Sequence, residues 1–317
     1  MNNFRKIHHA IIEISSENAG IDGLSYSGFS GEKLIKTLQS IAIQLCNTQN
    51  CYLEIGVFQG LTLLSVAKSL SDIPAYGIDN FSQFDIDGKN EALIKERMKQ
   101  DSINNAILIN KDYEDALEYL PDFIKEKKIG LYFVDGPHDY RSQLMCLLLA
   151  KPYMAEQSAI IIDDCNYLHV RQANRDFLIA NPEYKMIFEA YSECHPKNMT
   201  TANEARTRIE WWNGVNILVR DDKNLLSPMF PPTIRDRTLY ENEHTVHASK
   251  YPETAPAAMR FVTNLSKYRL LNLCLDFVSI LKTIRNSKKS FIGQFDSMNT
   301  YSNNLPKSNI NPSLSQE

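Results

Sequence analysis

Between residues 48 and 220, short apolar runs alternate with segments of helical period. Seven runs have the length and the β-branched and aromatic content of strands: 51–56, 75–79, 106–110, 129–135, 158–164, 185–190 and 212–220. Strands that alternate with helical segments are typical of βαβ units, in which helices cover both faces of a parallel sheet. The pattern therefore predicts a doubly wound α/β fold, with a mostly parallel seven-stranded sheet and an antiparallel last strand.

The segments on either side of this core have different patterns. Residues 1–47 are predicted to form a helical N-terminal cap, because Leu34, Leu38, Ile41 and Leu45 fall on one helical face. The core is predicted over 48–222. The C-terminal extension, 223–317, begins with prolines, continues as one long amphipathic helix over 258–286, and is expected to be disordered from about residue 288.

Composition narrows the class of protein. The 317 residues carry a formal net charge of -4, which gives no broad basic field of the kind that attracts nucleic acid or an anionic membrane surface. The start of the chain lacks the apolar region of a signal peptide, and no apolar stretch is long enough to span a membrane. Six cysteines without a C-x-x-C pair suit reduced thiols. We expect a cytoplasmic protein with no nucleic-acid partner.

The first predicted strand ends in "LEIGVFQGLT", which contains Glu54, Gly56, Gly60 and Thr62. Glycine in a strand-to-helix turn lets a ligand approach the backbone, and the helix N-terminus offers free N–H groups to an anion. The G-x-G-x-x-G and P-loop motifs are absent, which disfavours NAD and ATP. A tight turn without any ligand is an equally good interpretation of this motif alone.

Two further carboxylates follow predicted strands. Asp79 ends the second strand, where an acidic side chain in this topology can accept hydrogen bonds from both ribose hydroxyls. Asp112 follows the third strand and is placed either to accept from an adenine amino group or to cap the next helix. Together with the glycine turn, these positions predict a nucleotide-type pocket.

Acidic residues also end the fourth and fifth predicted strands. Asp135 follows "LYFV", and Asp163 and Asp164 follow "AIII". The ends of adjacent parallel strands lie about 4.8 Å apart, so these carboxylates can share one ion. A hard divalent cation, Mg²⁺, would relieve their mutual repulsion. The alternative is that the Asp163–Asp164 pair only caps the following turn and helix.

His138 lies three residues beyond Asp135, after the turn formed by Gly136 and Pro137. A neutral histidine can accept a proton near pH 7, so His138 is the predicted general base, with Asp135 beside it in the catalytic set. The alternative is a histidine that stabilises the loop or caps the next helix.

The stretches "YLEIGVFQGLT", "GIDNF" and "FVDGPHDY" with "AIIIDD" resemble a class I S-adenosylmethionine-dependent methyltransferase, which has a Rossmann-like fold. More narrowly, they resemble the metal-dependent sugar O-methyltransferases of natural-product pathways, the family 24 type. The resemblance covers residues 48–220. It implies that Glu54, Gly56, Gly60 and Thr62 surround the methionine end of the donor, with Asp79 at the ribose and Asp112 at the adenine.

The resemblance also bears on the metal and the base. The 28-residue interval from Asp135 to Asp163 is similar to the ligand spacing of metal-dependent O-methyltransferases, and in that group the base follows the first ligand by three positions. The implied enzyme is Mg-dependent and methylates a hydroxyl of a sugar or glycosylated small molecule. The alternatives are a metal-independent class I methyltransferase and a non-catalytic donor-binding or scaffold protein. A homo-oligomer is left open.

The acceptor is not encoded in any motif. Selectivity is expected to come from the N-terminal cap and from a connection over 191–210, interpreted as a loop that can cover the substrate. Trp211 and Trp212 can stack on a sugar, but aromatic residues that open a core strand are the simpler interpretation.

Overall fold

The computed structural model describes residues 2–16, 26–82, 84–85, 87–192, 199–233 and 254–290. The chain divides into two compact units, one over 1–235 and the other over 236–317. The described residues do not include three histidines of the chain, His195, His244 and His247, or residues 291–317. The two units are described separately below.

The first unit contains one seven-stranded sheet with the order β3-β2-β1-β4-β5-β7-β6. The strands are β1 (Asn50–Ile55), β2 (Ala75–Ile78), β3 (Ala106–Ile109), β4 (Lys128–Val134), β5 (Met154–Ile162), β6 (Tyr184–Ala190) and β7 (Val215–Arg220). Only β7 runs antiparallel to its neighbours, β5 and β6. The predicted doubly wound, Rossmann-like α/β sheet with an antiparallel last strand is confirmed.

Helices cover both faces of this sheet. They are α1 (Asn2–Ser16), α2 (Glu32–Leu45), α3 (Leu61–Ser69), α4 (Asn90–Gln100), α5 (Tyr113–Glu118), α6 (Pro121–Ile124), α7 (Tyr140–Ala150), α8 (Leu168–Ala180) and α9 (Thr201–Ile209). A short 3-10 turn, Lys151–Tyr153, links α7 to β5. Two buried apolar clusters, one on each side of the sheet, form the core. Among the described helices, none is both long enough and apolar enough to cross a bilayer.

Several predicted elements differ from the observed ones. The helical segment between β3 and β4 is divided into α5 and α6, because Pro121 starts a new first turn. The last strand begins at Val215 instead of residue 212, because Trp212 and Gly214 have φ values of 53° and 89°, outside the strand region. The 191–210 connection contains helix α9, which Thr200 caps by accepting from Asn203 N, and is not a loop throughout.

The N-terminal cap is connected to α9 by a buried lysine. Lys33 in α2 donates from Nζ to the carbonyl of Ser15 at 2.8 Å and forms an ion pair with Glu210 at 2.7 Å. Ile7 and Ile11 of α1, a helix within the segment predicted to form the helical cap, are buried in the core. The two helices of the N-terminal cap are therefore joined to each other and to the residue that follows α9.

The second unit contains two helices, α10 (Ala255–Ser266) and α11 (Leu270–Ser290), which pack against each other. The single long helix predicted over 258–286 is therefore wrong, because the chain breaks at Tyr268, where φ is 53°. Residues 288–290, where disorder was expected to begin, are the last residues of α11.

Candidate functional site

A cavity of about 640 Å³ opens at the carboxyl ends of the parallel strands. Its wall includes residues one or two positions beyond the ends of β1, β2, β3, β4 and β5. Strands β1 and β4 are neighbours in the sheet but not in sequence, so the chain reverses its winding direction between them. Ligands of open α/β sheets bind in the crevice at this reversal. The cavity is therefore the candidate functional site.

The turn after β1 forms one side of the cavity. Gly56 has a φ of 86°, and a Cβ built on it would lie 1.9 Å from the carbonyl oxygen of Asp135. Gly60 also has a positive φ, 84°, and precedes the first turn of α3. Gly56 and Thr62 line the cavity and Gly60 does not, and contact of these three residues with a donor stays a prediction. Only glycine permits the contact between the β1 and β4 turns.

Glu54 lies beneath this turn and is completely buried. Its carboxylate accepts hydrogen bonds from the Tyr52 hydroxyl at 2.6 Å and from Thr62 Oγ1 at 3.1 Å. Burial raises the pKa of Glu54 to about 8, and these hydrogen bonds only partly oppose that rise. Glu54 does not line the cavity, so its direct contact with a donor remains a prediction. In the structure it positions Thr62, which does line the cavity.

Asp79 lines the cavity at the end of β2, where it was predicted. Its Oδ2 accepts from the backbone amides of Val57 and Phe58, both at 2.8 Å, and its Oδ1 accepts from the amide of Phe81 at 2.7 Å. Oδ2 uses both of its lone pairs on these two amides, whereas Oδ1 keeps a second lone pair that is available to a ligand hydroxyl. Asp79 thus fixes the glycine turn, and its contact with a ribose remains a prediction.

Asp112 also lines the cavity, and the structure shows that it caps a helix. Its Oδ1 accepts from the amide of Glu114 at 2.9 Å at the start of α5. This is the structural alternative that its position after β3 left open. The predicted contact with an adenine amino group remains untested.

The two acidic strand ends are adjacent, as predicted. Val134 and Ile162 are register partners of β4 and β5, so Asp135 and Asp163 follow paired positions. Burial raises the pKa of Asp135, and the negative charges of Asp163 and Asp164 raise it further. Burial and the charge of Asp164 likewise raise the pKa of Asp163. The positive charge near this end of the sheet is therefore too small to stabilise the ionised forms of these carboxylates.

Asp163 and Asp164 have different environments. Asp163 is 2% exposed, its Oδ1 accepts from the Asp164 amide at 2.8 Å, and no described group donates to its buried Oδ2. Asp164 has a φ of 57°, lines the cavity, and accepts at Oδ1 from the amide of Asn213. Asn213 is fully buried, and its own Oδ1 also lacks a described donor. Two buried oxygens are thus left without partners at this site.

His138 is paired with the second of these aspartates. Its Nε2 lies 2.9 Å from Asp164 Oδ2, and its imidazole stacks on the Tyr167 ring at a centroid distance of 5.1 Å. The side chain is 37% exposed and lines the cavity. The carboxylate and the stacked ring hold the imidazole in one orientation while it remains accessible from the cavity. Neither Tyr167 nor Asn213 was predicted, because both contacts join segments that are distant in sequence.

The donor chemistry at the strand ends fits a hard divalent cation, since every candidate ligand is a carboxylate or amide oxygen and two such oxygens lack hydrogen bonds. The side-chain arrangement is less favourable. Among the described residues, no three His, Cys, Asp or Glu side chains come together as a group that could hold a metal ion. The structure therefore brings Asp135, Asp163 and Asp164 to one edge without assembling them into a metal site.

Aromatic side chains form another part of the wall, and of these only Trp212 was considered from the sequence. Phe29 stacks with Phe58 at 5.2 Å and with Trp212 at 6.2 Å, and the guanidinium of Arg208 lies 4.6 Å above the Trp212 ring. All four residues line the cavity. Trp211, by contrast, packs on Phe188 at 4.8 Å in the core. Both tryptophans are buried, at 8% exposed, in agreement with the core interpretation, but Trp212 has a positive φ and also lines the cavity.

Comparison with known proteins supports this description. Residues 53–165 match the model of methyltransferase family 24, which is described as a methyltransferase domain. No curated protein matches the chain. The matched segment contains every predicted site residue, from Glu54 to Asp164.

Solved structures also resemble the chain. An O-methyltransferase from Bacillus cereus in complex with SAH has 16% identity and a TM-score of 0.46, and the alignment covers 67% of this chain and 91% of that one. The O-methyltransferase TomG from Streptomyces achromogenes, involved in tomaymycin synthesis and solved with SAM, has 13% identity and a TM-score of 0.45, with coverages of 70% and 90%. At such low similarity, these structures indicate nothing about the acceptor.

The family match, the strand order and the cavity at the strand ends agree with the resemblance that the sequence motifs indicated. Over residues 53–165, the chain is similar to a methyltransferase domain.

Proposed function

We propose that this protein transfers a methyl group from S-adenosylmethionine to a hydroxyl of a small molecule, a sugar or a glycosylated compound, with His138 as general base. The observation that carries the proposal is the His138–Asp164 pair, 2.9 Å apart on the wall of the cavity. An imidazole that is oriented by a carboxylate and accessible from a pocket is suited to accepting a proton from a bound hydroxyl.

The proposed chemistry follows from the tautomer that Asp164 favours. A neutral His138 donates from Nε2–H to Asp164 Oδ2, which leaves the lone pair on Nδ1 to accept the hydroxyl proton. When bound, S-adenosylmethionine supplies an electrophilic methyl group on a positively charged sulfur. The acceptor oxygen forms the new carbon–oxygen bond as its proton passes to His138, and the carbon–sulfur bonding pair leaves with the sulfur. Asp164 stabilises the imidazolium that results.

We also propose that Asp135, Asp163 and Asp164 hold a divalent cation, Mg²⁺, during this reaction. The support is the buried Asp163 Oδ2, which lacks a hydrogen-bond donor, and the accumulation of carboxylates whose pKa values are raised by burial. A cation at this position would lower their repulsion and make a nearby hydroxyl more acidic. The described residues contain no preformed group of three such ligands, and the alternative is that His138 and Asp164 act without metal.

Chelation separates these two versions. Initial rates would be measured with labelled donor in buffer with EDTA, with EDTA followed by excess Mg²⁺, and with untreated enzyme. Loss of methyl transfer in EDTA and its recovery with Mg²⁺ support the metal. Undiminished rates in EDTA would mean that the reaction needs no metal. The His138–Asp164 pair alone would then deprotonate the acceptor hydroxyl. Donor binding by isothermal titration in EDTA serves as the control for an intact fold.

The acceptor class is proposed from the aromatic wall. The exposed face of a sugar ring carries C–H groups that pack well on an aromatic ring, and Trp212, Phe29 and Phe58 supply such rings inside the cavity. We would screen monosaccharides, nucleotide sugars and glycosylated small molecules with labelled donor. Trp212→Ala is expected to raise the KM of a sugar acceptor about 2- to 10-fold without changing donor affinity. A chain that binds donor but methylates no acceptor would fit the scaffold alternative.

A further inference from the structure

The C-terminal helices differ in charge from the rest of the chain. Residues 254–290 contain one carboxylate, Asp276, and seven basic side chains: Arg260, Lys267, Arg269, Lys282, Arg285, Lys288 and Lys289. Their formal charge is therefore +6. Because the whole chain carries -4, the other 280 residues carry -10. The low net charge of the whole chain is therefore the sum of a basic segment, 254–290, and a strongly acidic remainder.

The single carboxylate of this segment is not available to a partner. Asp276 is 8% exposed, accepts from Asn264 Nδ2 at 2.7 Å and lies 3.4 Å from Arg260 Nε. It therefore lies between α10 and α11 and helps to join them. Within the described residues, the outer surface of the helix pair carries only positive formal charges.

The same surface is apolar to an unusual extent. Ten large apolar side chains of the pair are more than half exposed: Met259, Val262, Leu265, Tyr268, Leu270, Leu271, Leu275, Phe277, Val278 and Leu281. The most exposed are Tyr268 at 88%, Leu271 at 77% and Leu270 at 74%, at the junction of the two helices. Exposed Lys267 and Arg269 alternate with them. Large apolar side chains that are exposed in this number on one helix pair indicate an interaction site.

Apolar and basic residues share one face of α11. Leu271, Leu275, Val278, Lys282 and Arg285 follow the i, i+4, i+7, i+11, i+14 spacing of a single helical stripe, and all five are exposed. A helix that lies in a membrane interface needs this combination, because its apolar side chains enter the acyl boundary while long basic side chains extend to the lipid phosphates.

We propose that the α10–α11 helix pair binds the surface of an anionic lipid bilayer. Two other partners fit the same residues less well. A second copy of the pair would bring together two segments that each have a formal charge of +6, and these repel each other. A nucleic acid would satisfy the basic side chains but not the ten exposed apolar ones. A lipid surface that contains acidic headgroups accommodates both.

The test measures partitioning of the full-length protein onto sucrose-loaded vesicles by sedimentation. One set of vesicles consists of phosphatidylcholine, and the other contains phosphatidylcholine and phosphatidylglycerol. We expect binding to the mixed vesicles, weaker binding at high ionic strength, and little binding to phosphatidylcholine alone. The double variant K282Q/R285Q should lower the partition coefficient about 30-fold, because each basic side chain near an anionic surface contributes about one kcal/mol, and 1.4 kcal/mol is tenfold.

Matched variants separate a specific surface from a general effect. K68Q/K99Q removes the same charge from exposed lysines of the first unit and should leave partitioning within about 2-fold of the unmodified protein. Y268S/L271S should lower it at least about 10-fold, whereas I43S/I179S, at exposed positions of α2 and α8, should not. Circular dichroism checks that each variant is folded.

Three results would overturn the proposal. The first is equal or absent binding to both kinds of vesicle. The second is a stable dimer that Y268S/L271S dissociates, which would assign the apolar surface to a second copy. The third is binding to RNA that K282Q/R285Q abolishes and Y268S/L271S does not affect, together with unchanged vesicle binding by both variants.

Discussion

His138 Nε2 and Asp164 Oδ2 lie 2.9 Å apart, although 25 residues separate them along the chain. Asp164 reaches the imidazole from the turn after β5, where its φ of 57° directs the side chain towards the cavity. The His138–Asp164 contact joins the segments that follow two adjacent strands, β4 and β5. It places an oriented proton acceptor on the wall of the cavity.

Replacing His138 with Asn should lower kcat about 10²- to 10⁴-fold, the usual contribution of a general base. The measurement is methyl transfer from labelled donor under saturating conditions, with donor affinity determined by titration. Affinity should change little, because the proposed base contacts the acceptor. His169→Asn is the control, since His169 is an exposed histidine of α8. Full activity of the His138 variant would assign this histidine to loop stabilisation.

Replacing Asp163 with Asn should stabilise the metal-free protein while it impairs catalysis. The buried Oδ2 has no donor, and the repulsion from Asp164 disappears with the charge, so the free energy of unfolding should increase by about 1 kcal/mol. If the carboxylate is a metal ligand, activity at limiting Mg²⁺ should fall at least about 10-fold. Urea unfolding and Mg²⁺ titration of the rate measure the two effects.

Asp122→Asn provides the control for that variant, because Asp122 is exposed on α6 and should affect neither quantity. A variant at Asp163 that is destabilised, with an unchanged dependence on Mg²⁺, would mean that this carboxylate only supports the turn.

The buried Glu54 predicts a pH dependence of stability. Its pKa is about 8 in the folded protein, against 4.5 for an unperturbed side chain, so between these values the folded state binds the extra proton. Stability due to this group is therefore fully present below about pH 4.5 and is lost as the pH rises to about 8, with a slope approaching 1.4 kcal/mol per pH unit. Asp135 and Asp163, with raised pKa values, contribute in the same direction.

Glu54→Gln isolates the contribution of this residue. The variant should show a smaller decrease of the unfolding free energy across that pH interval, measured by urea unfolding at several pH values. Glu118→Gln, at an exposed position, should retain the slope of the unmodified protein. If the slope of the Gln variant were unchanged, Glu54 would be ionised throughout and its charge stabilised in another way.

The contact between the β1 and β4 turns can be tested with two glycines that share a positive φ. Gly56→Ala should destabilise the protein by about 3 kcal/mol or more, because the new Cβ would lie 1.9 Å from the Asp135 carbonyl oxygen in addition to the backbone strain. Gly88→Ala, where no atom lies within 4 Å of the Cβ, should cost only about 1 kcal/mol. Thermal unfolding of both variants measures the difference, and equal losses would contradict a steric requirement at Gly56.

The sequence by itself determined the order of the strands and helices and the placement of carboxylates at the strand ends. Apolar runs such as the one before Asp135 are local signals, and strand ends of a parallel sheet meet at one edge whatever the side chains are. The same local signals predicted the glycine turn at Gly56, because a strand followed directly by a helix requires a special backbone conformation.

Only the tertiary structure decided which partner each of these side chains has. Asp79 accepts from the amides of the glycine turn, Asp112 caps a helix, and Asp164 pairs with His138 and Asn213. Such partners depend on rotamers and on backbone twists at single residues that no periodic pattern records. The long-range approach of Trp212 to the cavity and the exposed basic face of α11 were likewise settled by folding, because each depends on what packs against the opposite side of the element.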